Sequence, residues 1–182
     1  MSPQELLTGW VRSKHGGQLK KYNGEPYFNH LASVAEMAKG AIRLGYEIGL
    51  CHDLLEDTRT TGSELKEALV TFGYSHHDAD DIAACVAELT DQFTSAASPD
   101  LSRNERKEKE EFRLRTVSSA AQTVKYCDLI DNMTLVIEYE RKHGPQYLQR
   151  KKSLLQDMNA GNIELRLRAL AIIDHALIQY SR

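Results

Sequence analysis

The chain has 182 residues, of which 41% are hydrophobic and 27% are charged, and its formal net charge at pH 7 is −3. This length predicts a single domain over residues 1–182, because a chain of this size can bury roughly 70% of the surface that its unfolded form exposes. The slight negative charge is unlike that of proteins that bind nucleic acid through a general electrostatic surface, so we expect neither DNA nor RNA as a partner.

The sequence also indicates where the protein resides. No apolar run approaches the ~20 residues that span a bilayer, so we expect no membrane segment. The first residues lack the basic start and the continuous apolar stretch of a signal peptide. Cys51, Cys85 and Cys127 are odd in number and widely spaced, which is typical of free thiols in a reducing compartment. These features predict a cytoplasmic protein.

Apolar residues recur three and four positions apart along nearly the whole chain, and no long stretch alternates polar and apolar residues. This periodicity predicts an all-α fold of about eight to nine helices. Glycine and proline residues mark most of the breaks between them. With boundaries good to a few residues, the predicted helices are 4–14, 30–44, 46–56, 63–73, 76–91, 103–117, 119–142, 146–158 and 161–180.

One short segment concentrates side chains that bind metals. On a helix with about 100° per residue, one imidazole and three carboxylates of this segment share a single arc. Three carboxylates this close would repel one another or take up protons if they were partly buried. A divalent cation would remove that repulsion. The four residues are His52, Asp53, Glu56 and Asp57.

Two further segments offer ligands to the same ion. His30 opens a predicted helix, where a histidine on its own more often caps or packs. Asp128 interrupts an otherwise apolar helix, which is costly unless the carboxylate is paired or binds a metal. It could instead pair with Lys125 or Arg141. Taken together, the candidate metal ligands are His30, His52, Asp53 and Asp128.

Mixed nitrogen and oxygen ligation suits Mn(II), Fe(II), Zn(II) or a similar ion. Four protein ligands leave coordination positions for water and for a phosphate oxygen. Glu56 and Asp57 are then not needed as ligands. Each lies about one helical turn from the ion, where a carboxylate can accept a proton from water.

A strongly charged run, RNERKEKEEFRLR, occupies residues 103–115. It mixes both signs at helical spacing, which is typical of a solvated helix stabilised by pairs four residues apart. Glu105 and Lys109 form one such pair. We therefore expect an exposed helix here.

Four motifs follow one another along the chain: HGGQ at 15–18, GEPYFNH at 24–30, HDLLEDT at 52–58 and VKYCDLIDN at 124–132. In this order they resemble the HD superfamily of metal-dependent phosphohydrolases and, within it, the hydrolase domain of RelA/SpoT-type alarmone enzymes. The Glu-Asp pair after the His-Asp pair separates this branch from generic HD proteins. The resemblance covers roughly residues 8–135 and implies an HD-domain helical bundle, with the helices of 146–180 packing on this core.

The resemblance implies a stand-alone small alarmone hydrolase that cleaves the 3′-diphosphate of (p)ppGpp to give GDP or GTP and pyrophosphate. It implies one Mn(II) ion per chain, with Glu56 and Asp57 activating the attacking water. It also implies substrate contacts from an asparagine and from basic residues in and near the motifs. These substrate-binding candidates are Lys14, Lys20, Lys21, Lys107 and Asn132.

Two alternatives remain open at this point. Lysine stands where the family usually has an arginine after the GQ pair, and lysine is a point charge that cannot stack on a purine and fork onto phosphate as arginine does. The protein could therefore be an HD-type phosphohydrolase or phosphatase of another nucleotide or phosphorylated cofactor, such as NADPH or a nucleoside monophosphate. It could also be a non-catalytic binding module that keeps the fold.

Overall fold

Helices account for nearly all regular structure in the computed structural model, which describes residues 1–181. Within this range, two isolated β-bridges are the only extended pairing. The prediction of an all-α fold is therefore confirmed. In chain order, the ten helices are α1 (Pro3–Lys14), α2 (Phe28–Ala38), α3 (Gly45–Cys51), α4 (Leu54–Asp57), α5 (Gly62–Phe72), α6 (His76–Leu89), α7 (Arg103–Leu114), α8 (Ser119–Tyr139), α9 (Gly144–Asp157) and α10 (Ile163–Tyr180).

The segment predicted as one helix over 46–56 is two helices. α3 ends at Cys51, and α4 begins at Leu54 after Asp53 has left helical geometry, with φ −100° and ψ 3°. Neighbouring residues on a regular helix point about 100° apart, so His52 and Asp53 converge only because the helix breaks between them. The prediction of a continuous helix was wrong at the point where the two side chains meet.

The helix predicted over 30–44 also ends early. α2 stops at Ala38, and the chain then turns through Gly40 and Leu44, which have positive φ values of 81° and 57°. A Cβ atom on Gly45 would lie 2.1 Å from the carbonyl oxygen of Ala38. Only glycine allows α3 to begin this close to the end of α2, so the turn brings the two helices side by side.

α8 is the central helix of the molecule. It contacts α2, α3, α6, α9 and α10, and Tyr126 and Cys127 within it are fully buried. One hydrophobic cluster extends from Leu7 in α1 to Ala176 in α10. Asp128, a buried residue of α8, therefore lies in the middle of the fold.

The three cysteines are buried free thiols, as predicted. Burial raises the pKa of Cys85 and Cys127 to about 12, which keeps both thiols protonated. Across residues 1–181, we find no helix with the length and apolar character needed to cross a bilayer.

The charged run forms α7, and it is only partly the solvated helix that we expected. Ser102 and Glu105 form a capping box at its start, so Glu105 accepts a hydrogen bond from the Ser102 backbone. Glu110 is buried and accepts hydrogen bonds from the backbone N–H groups of Gln92 and Phe93. The helix therefore holds a neighbouring loop in place with its inner face.

Candidate metal centre and substrate pocket

The four candidate metal ligands meet at the centre of the fold. His30 lies in the first turn of α2, and Asp128 lies in the middle of α8. His52 and Asp53 lie at the break between α3 and α4, with 3.0 Å between His52 Nε2 and Asp53 Oδ2. His30 Nε2 is 3.3 Å from both His52 Nε2 and Asp128 Oδ1. The remaining His–Asp separations in this group are 3.7 Å.

These separations fit a shared ion. Two ligand atoms about 2.1 Å from one ion lie roughly 3.0 Å apart at a right angle and roughly 3.4 Å apart at a tetrahedral angle. One ligand atom from each of His30, His52 and Asp53 lies within 4.8 Å of the other two. Asp128 on α8 belongs to the same group, because its Oδ1 lies 3.3 Å from His30 Nε2 and 3.7 Å from His52 Nε2.

The far nitrogen of each imidazole is already engaged. The Nδ1–H of His52 donates to the carbonyl oxygen of Gly49 at 2.8 Å, and that of His30 donates to Asp131 Oδ2 at 2.7 Å. In the neutral form of the two rings, both Nε2 lone pairs therefore face each other across 3.3 Å. Such an arrangement is repulsive unless a positive charge lies between them, so the donor set suits a divalent cation.

The ionisation of the cluster supports the same conclusion. Burial lowers the pKa of His30, but Asp128 and Asp131 outweigh that effect and raise it to about 9. Burial likewise opposes protonation of His52, yet Asp53 and Asp128 raise its pKa to about 10. The negative field of the carboxylates therefore attracts positive charge to the point where the ligands meet.

Other side chains fix the two aspartate ligands. The Tyr27 hydroxyl donates to Asp53 Oδ2 at 2.5 Å. Lys125 Nζ lies 2.8 Å from Asp128 Oδ2, and Asn132 Nδ2 donates to Asp128 Oδ1 at 2.5 Å. Asp128 thus pairs with Lys125 through one oxygen and faces the imidazoles through the other, so the pairing with Lys125 is compatible with the predicted role as a metal ligand.

Glu56 and Asp57 lie on α4, which begins directly after Asp53. Loss of hydration and the nearby Asp91 raise the pKa of Glu56 to about 7, and Glu56 Oε2 accepts from the Asp91 N–H at 3.1 Å. Loss of hydration and the charge of Asp53 also raise the pKa of Asp57. A carboxyl group with a pKa near 7 is well suited to exchange protons at neutral pH.

Two cavities flank the ligand cluster. The larger is about 440 Å³ and contains Glu56 and Lys125 in its lining, and the smaller is about 250 Å³ and contains His30. Tyr147 forms part of the wall of both. The larger cavity is rich in cationic side chains, namely Arg103, Arg106, Lys107, Lys125, Arg150 and Lys151. The smaller is lined by Lys20, Lys21, Tyr22, Tyr27, His30, Asn132, Leu135, Val136 and Tyr147.

Positive charge in the larger cavity is only partly neutralised. Arg150 Nε and Lys151 Nζ contact Glu111 at 2.7 and 2.9 Å, but Arg150 Nη2 is buried with no hydrogen-bond partner within residues 1–181. Burial and the neighbouring cations Arg103 and Arg150 lower the pKa of Lys107. An anionic ligand would satisfy these groups, and phosphate matches a guanidinium particularly well.

The predicted substrate-binding residues are placed unequally. Lys20, Lys21 and Asn132 line the smaller cavity, and Lys107 lines the larger one. Lys14 lines neither, and its ammonium group pairs with Glu64 at 2.5 Å.

Sequence reasoning missed four features of the site. Tyr27 lies within a recognised motif, so its hydroxyl could have been considered. Asp131 lies next to Asn132 but shows no periodicity that would distinguish it. Arg150 and Tyr147 belong to α9, which carries no motif, and only the packing of α9 brings them to the cavities.

No family model matches the chain. A GTP pyrophosphokinase from Myxococcus xanthus is 36% identical over 126 residues, which cover 65% of this chain and 15% of that protein. The chain thus matches only a small part of this curated relative.

A solved structure has the same fold. It is a metazoan ortholog of SpoT that hydrolyzes ppGpp and plays a role in starvation responses. The two structures align with a TM-score of 0.75 at 20% sequence identity, over 98% of this chain and 96% of the other. Fold and site therefore define an all-α bundle with a cluster of histidine and aspartate side chains at its centre. This bundle has the fold of the SpoT ortholog.

Proposed function

We propose that this protein hydrolyses the 3′-diphosphate of (p)ppGpp, releasing pyrophosphate and GDP or GTP, with one Mn(II) ion per chain. The observation that carries the proposal is the convergence of two imidazoles and two aspartates beside the acidic pair Glu56 and Asp57. Similarity to a ppGpp-hydrolysing SpoT ortholog and to a GTP pyrophosphokinase supports the choice of substrate.

The two cavities favour a nucleotide with several phosphates. The smaller cavity combines aromatic and aliphatic walls, which suit a nucleobase, with Lys20, Lys21 and Asn132 at its edge. The larger cavity offers cations from α7, α8 and α9. A nucleotide that spans both would place its scissile phosphate between them, next to the ligand cluster.

His30, His52, Asp53 and Asp128 would hold the ion. When bound, a divalent ion lowers the pKa of a coordinated water and offsets charge on a phosphate oxygen. Glu56 accepts a proton from the attacking water, and Asp57 orients it. The new bond forms to the phosphorus that carries the ribose 3′ oxygen. The bond from that phosphorus to the 3′ oxygen breaks, and the 3′ oxygen takes up a proton.

Lysine and arginine side chains stabilise the negative charge on the oxygens of the 3′-diphosphate, which leaves the site as pyrophosphate after the bond to the 3′ oxygen breaks. Lys125 is well placed for this role because it lies between Asp128 and the larger cavity. The pKa of Lys125 is raised by Asp128 and Asp53 despite burial, so its ammonium group stays charged. Lys107 and Arg150 extend the same positive field along the cavity.

The test is a substrate panel. Protein loaded with Mn(II) is incubated with ppGpp, pppGpp, NADPH and nucleoside monophosphates, and pyrophosphate is separated from inorganic phosphate. We expect pyrophosphate from the guanosine compounds, and Glu56→Gln should release little. Phosphate from NADPH or a monophosphate would instead assign a different phosphohydrolase. Ion binding without any product would leave only a binding module.

We also propose the binding partner of the protein, its cellular compartment and its domain organisation. A soluble nucleotide is the expected partner, and neither DNA nor RNA is expected. The three free thiols suit the reducing cytoplasm, where we expect the protein to act. The single hydrophobic cluster that extends from α1 to α10 supports one domain over residues 1–182.

A further inference from the structure

Asp131 lies close to the candidate metal centre but outside its ligand set. It is three residues beyond Asp128 on α8, and its side chain is 15% exposed. Asp131 Oδ2 accepts the Nδ1–H of His30 at 2.7 Å. The imidazole ring therefore lies between this carboxylate and the other ligands, and Asp131 acts on the centre only through His30.

The hydrogen bond from His30 to Asp131 joins α2 to α8. A carboxylate that accepts the Nδ1–H of a metal-binding histidine fixes the tautomer and makes Nε2 a stronger donor. His52 has only the carbonyl of Gly49 in the equivalent place. The two imidazoles are therefore held by acceptors of different charge.

We propose that Asp131 is a positioning residue that holds His30 in the tautomer and orientation needed to bind the ion. This inference rests on the metal centre of the proposed function. It assigns His30 the role of the stronger nitrogen ligand, because Asp131 polarises it.

The test compares Asp131→Asn with Asp157→Asn. Asp157 is a matched control because it is also a helical aspartate, paired with Arg115 at 3.1 Å away from both cavities. Mn(II) affinity is measured by competition with a chelating dye. We expect Asp131→Asn to weaken binding about 10- to 100-fold, the range for outer partners of metal ligands. At saturating Mn(II), kcat and KM should return to within a few-fold of wild type.

A second measurement separates this role from a general loss of stability. In Zn(II)-loaded wild-type protein labelled with ¹⁵N-histidine, His30 should show a protonated Nδ1 in slow exchange with water. Asp131→Asn should lose that protection, whereas the signals of His52 should persist. This readout in the wild type stands even if the variant fails to fold.

Several results would overturn the inference. They are unchanged Mn(II) affinity in Asp131→Asn, an equal loss in Asp157→Asn, or a His30 ring protonated at Nε2 in the Zn(II)-loaded wild type. The proposed function is tested separately. A tenfold loss of Mn(II) affinity in Asp131→Asn, in a protein that hydrolyses no guanosine nucleotide, would keep the role of Asp131 and reject the substrate.

Discussion

Asp53 is the ligand whose removal tests the metal centre most directly. It meets both imidazoles and is also held by Tyr27. Asp53→Ala should abolish stable Mn(II) loading, because it removes an anionic ligand and leaves two imidazoles with one carboxylate. Equilibrium dialysis measures the bound ion. The exposed Asp80, which pairs with Lys66, provides the control Asp80→Ala. Equal loading in all three proteins would contradict the assignment.

Glu56 should affect turnover and not ion binding. Glu56→Gln keeps the size of the side chain but removes the proton acceptor, so kcat should fall about 100-fold or more. Mn(II) affinity should change little, because Glu56 is not in the ligand set. Steady-state kinetics and dialysis distinguish these effects. A variant with the wild-type rate would exclude Glu56 as the base.

The pH profile gives an independent test of Glu56. Its pKa is raised to about 7, so the acid form, which cannot accept a proton, dominates below that pH. Activity should therefore rise with pH, and a nearby cation would move the midpoint below 7 by favouring the carboxylate. In Glu56→Gln this rise should disappear. A profile that keeps the same midpoint in both proteins would assign it to another group.

Lysines that line a cavity should affect binding more than turnover. Replacing Lys20 and Lys21 together with alanine should raise KM more than it lowers kcat, because both side chains line the cavity that we propose holds the nucleotide. Lys14→Ala is an informative comparison, since Lys14 pairs with Glu64 and lines neither cavity. We expect a smaller change in KM there. The opposite ranking would return Lys14 to the substrate site and remove the other two.

For single residues, the sequence predicts well what chemistry a side chain offers, but it predicts poorly which other side chains it contacts. His30 and Asp128 could be proposed as ligands from the sequence. Imidazole is a common metal ligand, and an aspartate in an apolar helix is costly unless it is paired or binds a metal. The partner of the far nitrogen of His30 could not be predicted. Asp131 and Asn132 are adjacent polar residues, and only the packing of α2 on α8 decides which of them meets the ring.

At the scale of elements, an acidic residue of α7 joins this helix to α9. Glu111 is largely buried and contacts both Arg150 and Lys151. Glu111→Gln should lower the free energy of unfolding by roughly 1–3 kcal/mol, because two half-buried cations lose their partner. It should also bind inorganic pyrophosphate more tightly, since the cavity becomes more positive. Urea unfolding and calorimetry measure the two effects.

The exposed Glu108 on the same helix supplies the control Glu108→Gln. It should alter neither stability nor pyrophosphate affinity by much. If pyrophosphate bound equally to wild type and Glu111→Gln, the larger cavity would not be a site for anions.

The break between α3 and α4 shows why element boundaries were harder to predict than elements. Every residue from 50 to 57 is compatible with a helix, so local preference predicts none of the interruption. Contacts made by distant residues, such as Tyr27 with Asp53, hold the broken geometry instead. Tertiary contacts therefore outweigh local propensity here.

For the whole molecule, the net charge of −3 says little about the site. Six lysine or arginine side chains and four carboxylates line the larger cavity, so local charge there has the opposite sign. The all-α class followed from periodicity along the chain. The placement of α9 against α7 and α8 did not, because it depends on contacts between residues far apart in sequence.

Tyr147 lines both cavities, so the size of its ring bears on which nucleotides the protein can bind. If the proposed nucleotide spans both cavities, the Tyr147 ring lies between its base and its phosphates. Enlarging or shrinking that ring would change the permitted span without touching the catalytic carboxylates. Replacing Tyr147 on α9 would therefore change which lengths of nucleotide bind, while Glu56, Asp57 and the candidate metal ligands stay unchanged.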